Sequence, residues 1–321
     1  MPITNKNPSA LPPARSRSPM PLALARRARG ARPASPTRRL TRLRLAGLMG
    51  LAGLAGLASV PAQAQTPSPL PEWQYSVGVP LRKLYAPDIP EWEVRIGMAA
   101  RIAPRYEGAS DYYALGGPSI DIRYRDLAFA STGEGIGFNA FHTRQFRAGL
   151  AMTYDMGRRE KKDHDHLRGM GNIGIVPEAK IFAEYVVSKD FPLVIRANIR
   201  RQLGGSDGWV GDLGAYMPMP GSNKKFFWFL GPTMTFADSN YMQTWFGVSA
   251  EQSARSGYPE HHPGAGIKSY GGGVSAIWLF NKHWFATADF GVSQLVGGAK
   301  SSPIVQRSTN LTGDISLNYQ F

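Results

Sequence analysis

Leu311-Thr312-Gly313-Asp314-Ile315-Ser316-Leu317-Asn318-Tyr319-Gln320-Phe321 ends the chain, and its reading decides the fold. Side chains alternate along a strand with period two. Leu311, Gly313, Ile315, Leu317, Tyr319 and Phe321 therefore share one face, and Thr312, Asp314, Ser316, Asn318 and Gln320 share the other. An apolar face, a polar face and aromatics at the end fit a strand that turns one side to lipid and the other to the lumen of a barrel.

The same pattern recurs upstream. Trp92, Val94, Ile96, Met98, Ala100 and Ile102 alternate with Glu93, Arg95, Gly97, Ala99 and Arg101, and Phe146 through Met156 do the same against Arg147, Gly149, Ala151, Thr153 and Asp155. Leu193 to Arg200 and Trp284 to Ser293 follow suit. Strands are expected near 92–104, 115–125, 127–132, 135–142, 145–156, 173–188, 191–203, 208–219, 225–237, 267–280, 283–296 and 309–321. A sandwich also alternates, but here tight turns alternate with longer polar loops, as a bacterial barrel with both termini on one side requires. Lipid offers the backbone no partners, so such a sheet must close. The expected fold is all-β: a closed antiparallel transmembrane β-barrel of about twelve strands. Its least regular part is 127–142, where Ser131-Thr132-Gly133-Glu134-Gly135 breaks the pattern and leaves a hairpin or one bulged strand open.

Charge separates the chain into parts. Residues 1–64 hold 11 of the 37 Lys and Arg and no acid, leaving 26 basic against 23 acidic residues in the remainder. Of the overall +14, eleven charges thus belong to the leading segment and +3 to the remainder, and a nucleic-acid partner is not expected. There Leu45–Val60 is an uncharged stretch after Arg38, Arg39, Arg42 and Arg44, and Ala62-Gln63-Ala64 makes a cleavage site, the layout of a signal peptide. The arginine pair at 38–39 also resembles a twin-arginine signal, and Met20 is an alternative start. The expected organisation is 1–64 for export, 65–91 as a Pro-rich periplasmic segment with Trp73, Tyr75 and Tyr85, and 92–321 as the barrel. Cysteine is absent, which excludes thiolate sites; 36 Gly with 35 Phe, Tyr and Trp suits a chain facing lipid.

Several segments then carry a resemblance. Pro104-Arg105-Tyr106-Glu107-Gly108, Gly157-Arg158-Arg159-Glu160, Trp245-Phe246-Gly247-Val248-Ser249, Ser256-Gly257-Tyr258-Pro259, Pro263-Gly264-Ala265-Gly266 and Ser302-Pro303-Ile304-Val305 occur in this order. Their order and spacing resemble the MltA-interacting protein (MipA/OmpV) family of Gram-negative outer-membrane barrels over roughly 92–321. The departures are the long N-terminus and Gly298-Ala299-Lys300, where the family usually has an acidic residue. The final strand resembles the signal read by the barrel-assembly machinery, through Asp314, Tyr319 and Phe321, with Ser316 where Gly is preferred. The resemblance implies a non-catalytic scaffold for a murein hydrolase of the lytic transglycosylase type and a murein synthase, with outer-membrane lipid around it.

The candidate site is the inward face. Glu93, Arg95, Arg101, Arg123, Arg147, Asp155, Glu178, Lys180, Glu184, Arg196, Arg200 and Asp289 fall on polar faces and have mixed signs. They can pair across a filled lumen or line a small pore. Trp92, Tyr124, Tyr185, Trp228, Trp278, Trp284 and Tyr319 fall on the outward face as interfacial girdles. Asp163-His164-Asp165-His166 and His261-His262 contain metal-ligand types but read as loops, so no metal, cofactor or catalytic residue is expected. No His has a suitably spaced Ser and acid, and the chain is not expected to be an enzyme. Beside the scaffold stand two alternatives: a passive channel, and an adhesin acting through 238–266.

Overall fold

A strand in lipid leaves its sheet partners to satisfy every main-chain group, and the seam between first and last strands shows how this chain does so. In the computed structural model, which describes residues 88–321, β12 (Thr309–Gln320) runs antiparallel to β1 (Trp92–Pro104), with Met98 opposite Leu317 and Arg101 opposite Asp314. The last residue completes the seam: the Phe321 amide donates to the Val94 carbonyl at 3.0 Å. Between them stand β2 (Tyr112–Tyr124), β3 (Ala128–Ser131), β4 (Gly135–His142), β5 (Phe146–Asp155), β6 (Val176–Val186), β7 (Val194–Gln202), β8 (Trp209–Pro218), β9 (Phe226–Ala237), β10 (Gly266–Leu279) and β11 (Trp284–Leu295). The described residues thus form a closed twelve-stranded antiparallel barrel, each strand paired with its sequence neighbours. The export segment, with Ala62 and Ala64, and residues 65–87 lie outside the described residues.

Alternation sets the register. Along β7 every second residue is buried, Arg196, Asn198 and Arg200 pointing inward while Ile195 and Ile199 face out. One rim collects the short links 125–127, 143–145 and 280–283, the start of β1 and the end of β12. Aromatics gather outside it. Tyr319 stacks on His283 with ring centroids 5.3 Å apart and meets Trp284 and Phe321 edge-on, and Trp92 lies 4.8 Å from Tyr124. All seven expected girdle residues belong to this rim. The opposite rim carries the long connections 156–175, 238–265 and 296–308, and among the described residues no helix is long and apolar enough to cross a membrane.

The irregular segment 127–142 is a hairpin. Gly135, at φ +87°, lies so close to the Met152 carbonyl that an added Cβ would sit 2.1 Å from it, so only glycine fits that turn. Because β3 has four residues, the hairpin ends partway up the wall. The Thr132 amide donates to the Ile120 carbonyl at 2.9 Å, and beyond that point β2 pairs only with β1 among the described residues. Even-numbered β2 residues aim their main-chain groups at this gap. One of them is Pro118, which has no N–H to lose and is tolerated at such an edge. The amides of Ala114 and Gly116 are accordingly expected to exchange with deuterium faster than those of Gly117 and Ser119, which face β1. Equal protection of Gly116 and Gly117 by NMR would contradict an open edge.

Two further features depart from the sequence reading. Lys268 occupies a bulge between β9 and β10, so Lys268 and Ser269 both turn inward. The loop 238–265 holds two helices, and the interior contains apolar as well as polar groups: Val186, Val194, Tyr216 and Phe229 pack together, as do Phe129, Ala151 and Phe182.

Candidate functional site

Six neighbouring wall elements, namely β1, β2, the β3–β4 hairpin, β5, β6 and β7, contribute inward charges that join end to end. Glu93 pairs with Arg95, whose Nη1 donates to Asp121 Oδ2 at 3.2 Å. Arg123 Nε donates to the same carboxylate at 3.1 Å, and its Nη2 reaches Glu134 Oε2 at 3.3 Å. Glu134 Oε1 lies 3.5 Å from Arg147 Nη2; Arg147 Nε donates to Glu184 Oε2 at 2.9 Å; Arg196 Nε lies 3.5 Å from Glu184 Oε1. The sign alternates at every step from Glu93 to Arg196. Four acids and four bases therefore neutralise one another, the condition under which charges survive away from water. Lys180 Nζ adds a bond to the Glu134 carbonyl at 2.9 Å, and the Arg147 guanidinium rests 5.2 Å from the Phe182 ring.

The hairpin explains why the chain of charges can cross the lumen. A full-height β3 and β4 would keep the turn at the rim, whereas this short pair delivers Glu134, 1% exposed, between Arg123 and Arg147. Nearer the long-loop rim a second cluster forms: Arg200 Nη2 donates to Asp212 Oδ2 at 2.8 Å and its Nε lies 3.7 Å from Glu178, while Gln202 Nε2 bridges Glu178 and Asp155 at 3.2 and 3.3 Å. Arg101 stands 3.7 Å from Asp314, and Asp289 accepts from Ser275. All twelve sequence-derived inward residues lie on the lumen side. Asp121, Glu134, Asp212 and Lys268 were missed. Asp121 and Asp212 obey the same alternation as their neighbours, but nothing in the sequence distinguishes Glu134 from a solvated turn or foretells the bulge at Lys268.

A cap covers the long-loop mouth. It consists of helices α1 (His164–Leu167), α2 (Ser239–Phe246), α3 (Ala250–Ser256) and α4 (Gly297–Lys300) with their flanking loops. Asp238 caps α2 by accepting from the Tyr241 amide at 2.8 Å, and Ser249 and Gln252 form a reciprocal capping box on α3. The buried face of α2 packs Tyr241, Met242, Trp245 and Phe246 against Val210, Ala237, Leu295 and Ala299. Tyr106, Ala109, Leu167, Met170, Val248 and Ile304 make a second cluster. Polar ties knit the loops: Tyr106 Oη donates to the Ile304 carbonyl at 2.9 Å, Lys268 Nζ donates to both oxygens of Glu107 at 2.8 Å, and Arg158 Nη1 donates to the Trp245 carbonyl at 2.8 Å. Burial lowers the Arg158 guanidinium to about 10 and raises the phenols of Tyr106 and Tyr241. The half-buried Glu160 carboxylate is held below its usual range by the Gly169 and Gly171 amides it accepts from.

The histidine segments belong to this cap. His166 Nδ1 lies 2.8 Å from Asp163 Oδ1, whose other oxygen accepts from Gln306 Nε2 at 3.2 Å; His261 pairs through its main chain with Val248, and its ring contacts the Gly298 carbonyl at 2.8 Å. Among the described residues no three His, Asp or Glu side chains form a group that could hold a metal ion. His142 ends β4, 3.6 Å from Asp126.

The motif segments read from the sequence converge on the cap: Tyr106 meets Ile304, Ser302 donates to the Phe246 carbonyl, and Val248 is fully buried. A family model described as MltA-interacting protein MipA matches residues 96–321. The chain belongs to the MltA-interacting protein family. It is an outer-membrane β-barrel, so the short-turn rim is periplasmic and the cap external. No curated protein matches. Solved structures similar to it include an outer membrane channel from Pseudomonas putida F1, 9% identical, covering 73% of this chain and 97% of that one at a TM-score of 0.37. Neisserial surface protein A is 8% identical over 73% and 97%, TM-score 0.23, and the Pseudomonas putida toluene transporter TodX is 9% identical over 76% and 92%, TM-score 0.33.

Proposed function

We propose that this barrel is a non-catalytic scaffold that holds murein-remodelling enzymes, a lytic transglycosylase and a murein synthase, at its periplasmic rim. The observation that carries the reading is the neutral chain of ion pairs from Glu93 to Arg196, which spends the inward charges on one another and not on a solute. The packed external cap supports it, since a lumen closed at its mouth leaves the outer surfaces to do the work. The family description names an interaction partner, MltA, in the same sense. Periplasmic turns offer a surface for such a partner: Arg125, Arg144, Lys189, Lys224, Lys225 and Lys282 are exposed there beside Asp88, Glu91, Asp126 and Asp190, with Arg125 paired to Glu91, and the positive excess that remains suits an acidic face. In this reading Asp314, Tyr319 and Phe321 serve barrel assembly, and loop 238–265 acts as a cover and not as an adhesin.

Immobilised refolded barrel is expected to retain a murein hydrolase from periplasmic extract, and charge reversal at Lys224, Lys225 and Lys282 to Glu is expected to weaken retention by about tenfold. Recovery of no murein enzyme would count against the scaffold. Planar bilayers test the channel alternative: the wild-type barrel is expected to be silent, and conductance steps that scale with added protein would replace the scaffold with a pore.

A further inference from the structure

Between β7, β8 and β9, close to the external rim, the lipid-facing wall is indented. Gly211 lies opposite Ile199 on one side and Phe236 on the other, so the middle member of an otherwise bulky outward row has no side chain. Trp209 and Leu213, its outward neighbours along β8, bound the depression lengthwise, and Asp238 and Ala265 close its external end. The groove measures about 470 Å³ and its floor and sides are apolar.

At its external end stands a cation. Arg201 is outward and exposed, lies opposite Trp209, and holds its guanidinium 5.6 Å from the centre of the indole ring. An arginine on the lipid side of a barrel is costly unless its head reaches the interface, where phosphate gives it charge-assisted bonds. Trp209 begins β8 at that level, and indoles favour the same depth. Asp238, across the groove, is occupied in capping α2. The medium against this wall consists of acyl chains, and a channel one side chain wide accepts one of them.

We propose that this groove is a specific lipid site: it seats one acyl chain of a phosphate-bearing membrane lipid over Gly211, with the phosphate on Arg201. Chain methylenes gain contact with Ile199, Leu213 and Phe236 on faces that a flat wall would not offer, and the Arg201–Trp209 stack fixes the head-group end.

Native mass spectrometry of the refolded barrel, released from micelles containing phosphatidylglycerol or the diacylglycerol with the same chains, tests both halves. Wild type is expected to retain one phosphatidylglycerol after the remaining lipid is stripped. Gly211→Leu fills the groove, and retention is expected to fall by about tenfold, as loss of a few buried methylenes predicts. Arg201→Gln is expected to bring phosphatidylglycerol down to the diacylglycerol level while leaving diacylglycerol unchanged. Equal retention by wild type and Gly211→Leu overturns the site, and equal retention of the two lipids by wild type overturns the phosphate contact. Heat-modifiable gel migration selects folded barrels, so lost retention is not mistaken for lost structure.

Discussion

Glu134→Gln is expected to destabilise the barrel by about 3–5 kcal/mol, the cost of removing one partner from a buried ion pair. The substitution keeps shape and one carbonyl acceptor, so packing is nearly unchanged. What it removes is the only carboxylate that stands between Arg123 and Arg147 in the chain of pairs, whose side chains are 6% and 2% exposed. Two guanidinium groups then face each other with less compensation, and Lys180, bonded to the carbonyl of the same residue, adds a third positive charge. Arg95→Gln makes the contrast. Arg95 stands near the other end of the chain of pairs with 20% of its side chain exposed, and its loss, which leaves Asp121 still paired with Arg123, is expected to cost less than that of Glu134. Urea unfolding of both variants in lipid vesicles, followed by tryptophan fluorescence, gives the comparison. Equal shifts for the two would mean that the chain of pairs has no buried centre at Glu134.

Glu134 carries no mark in the sequence that sets it apart from a solvated turn residue. Strand existence and facing follow from period-two alternation, because a wall with lipid on one side and a lumen on the other imposes opposite polarity on successive residues. The segments ending at Phe321, beginning at Trp92 and running from Phe146 to Asp155 were legible for that reason, as were the inward positions of Arg147, Glu184 and Arg200. Alternation says nothing about height. Glu134 lies in a turn, and its depth depends on β3 being four residues long, a length set by the turn chemistry at Gly135 and not by any polarity pattern. Lys268 was lost to the opposite cause: the bulge beside it shifts parity by one, so a residue that alternation assigns to lipid points at Glu107. The helices at 239–246 and 250–256 lie in the segment that alternation leaves as a loop, although Asp238, and Ser249 with Gln252, are the N-cap signals for a different period.

The cap is expected to open independently of the barrel when its apolar anchor is removed. Phe246 is 1% exposed within the α2 cluster, and Phe246→Ala is expected to cost about 3–5 kcal/mol through lost burial and the cavity left behind. The loss falls on the cap, because the strands below are held by their own ladders while α2 is held to them by this apolar packing on Val210, Ala237 and Leu295 and by its loops. Trypsin therefore is expected to cut after Lys162, Arg168 and Arg255 in the variant at a rate at which the wild-type cap survives, leaving the barrel fragment intact on a gel. Cleavage at equal rates in both proteins would show that the helices are not anchored by Phe246. Alkaline pH supplies the same opening without mutation. A phenol ordinarily ionises near 10.0, and burial raises Tyr106 and Tyr241 above that, so the stability they contribute is complete below pH 10 and declines as pH rises beyond it. Arg158 works in the opposite direction, since burial lowers it to about 10 and the folded cap binds fewer protons than the open one above that pH. Tyr106 and Tyr241 both act toward opening over that interval. Tryptic sensitivity is thus expected to be flat from pH 7 to 9 and to rise above 10; Tyr106→Phe should lessen that rise and leave the part due to Tyr241, since Gln306 and Ile304 would lose only a neutral partner.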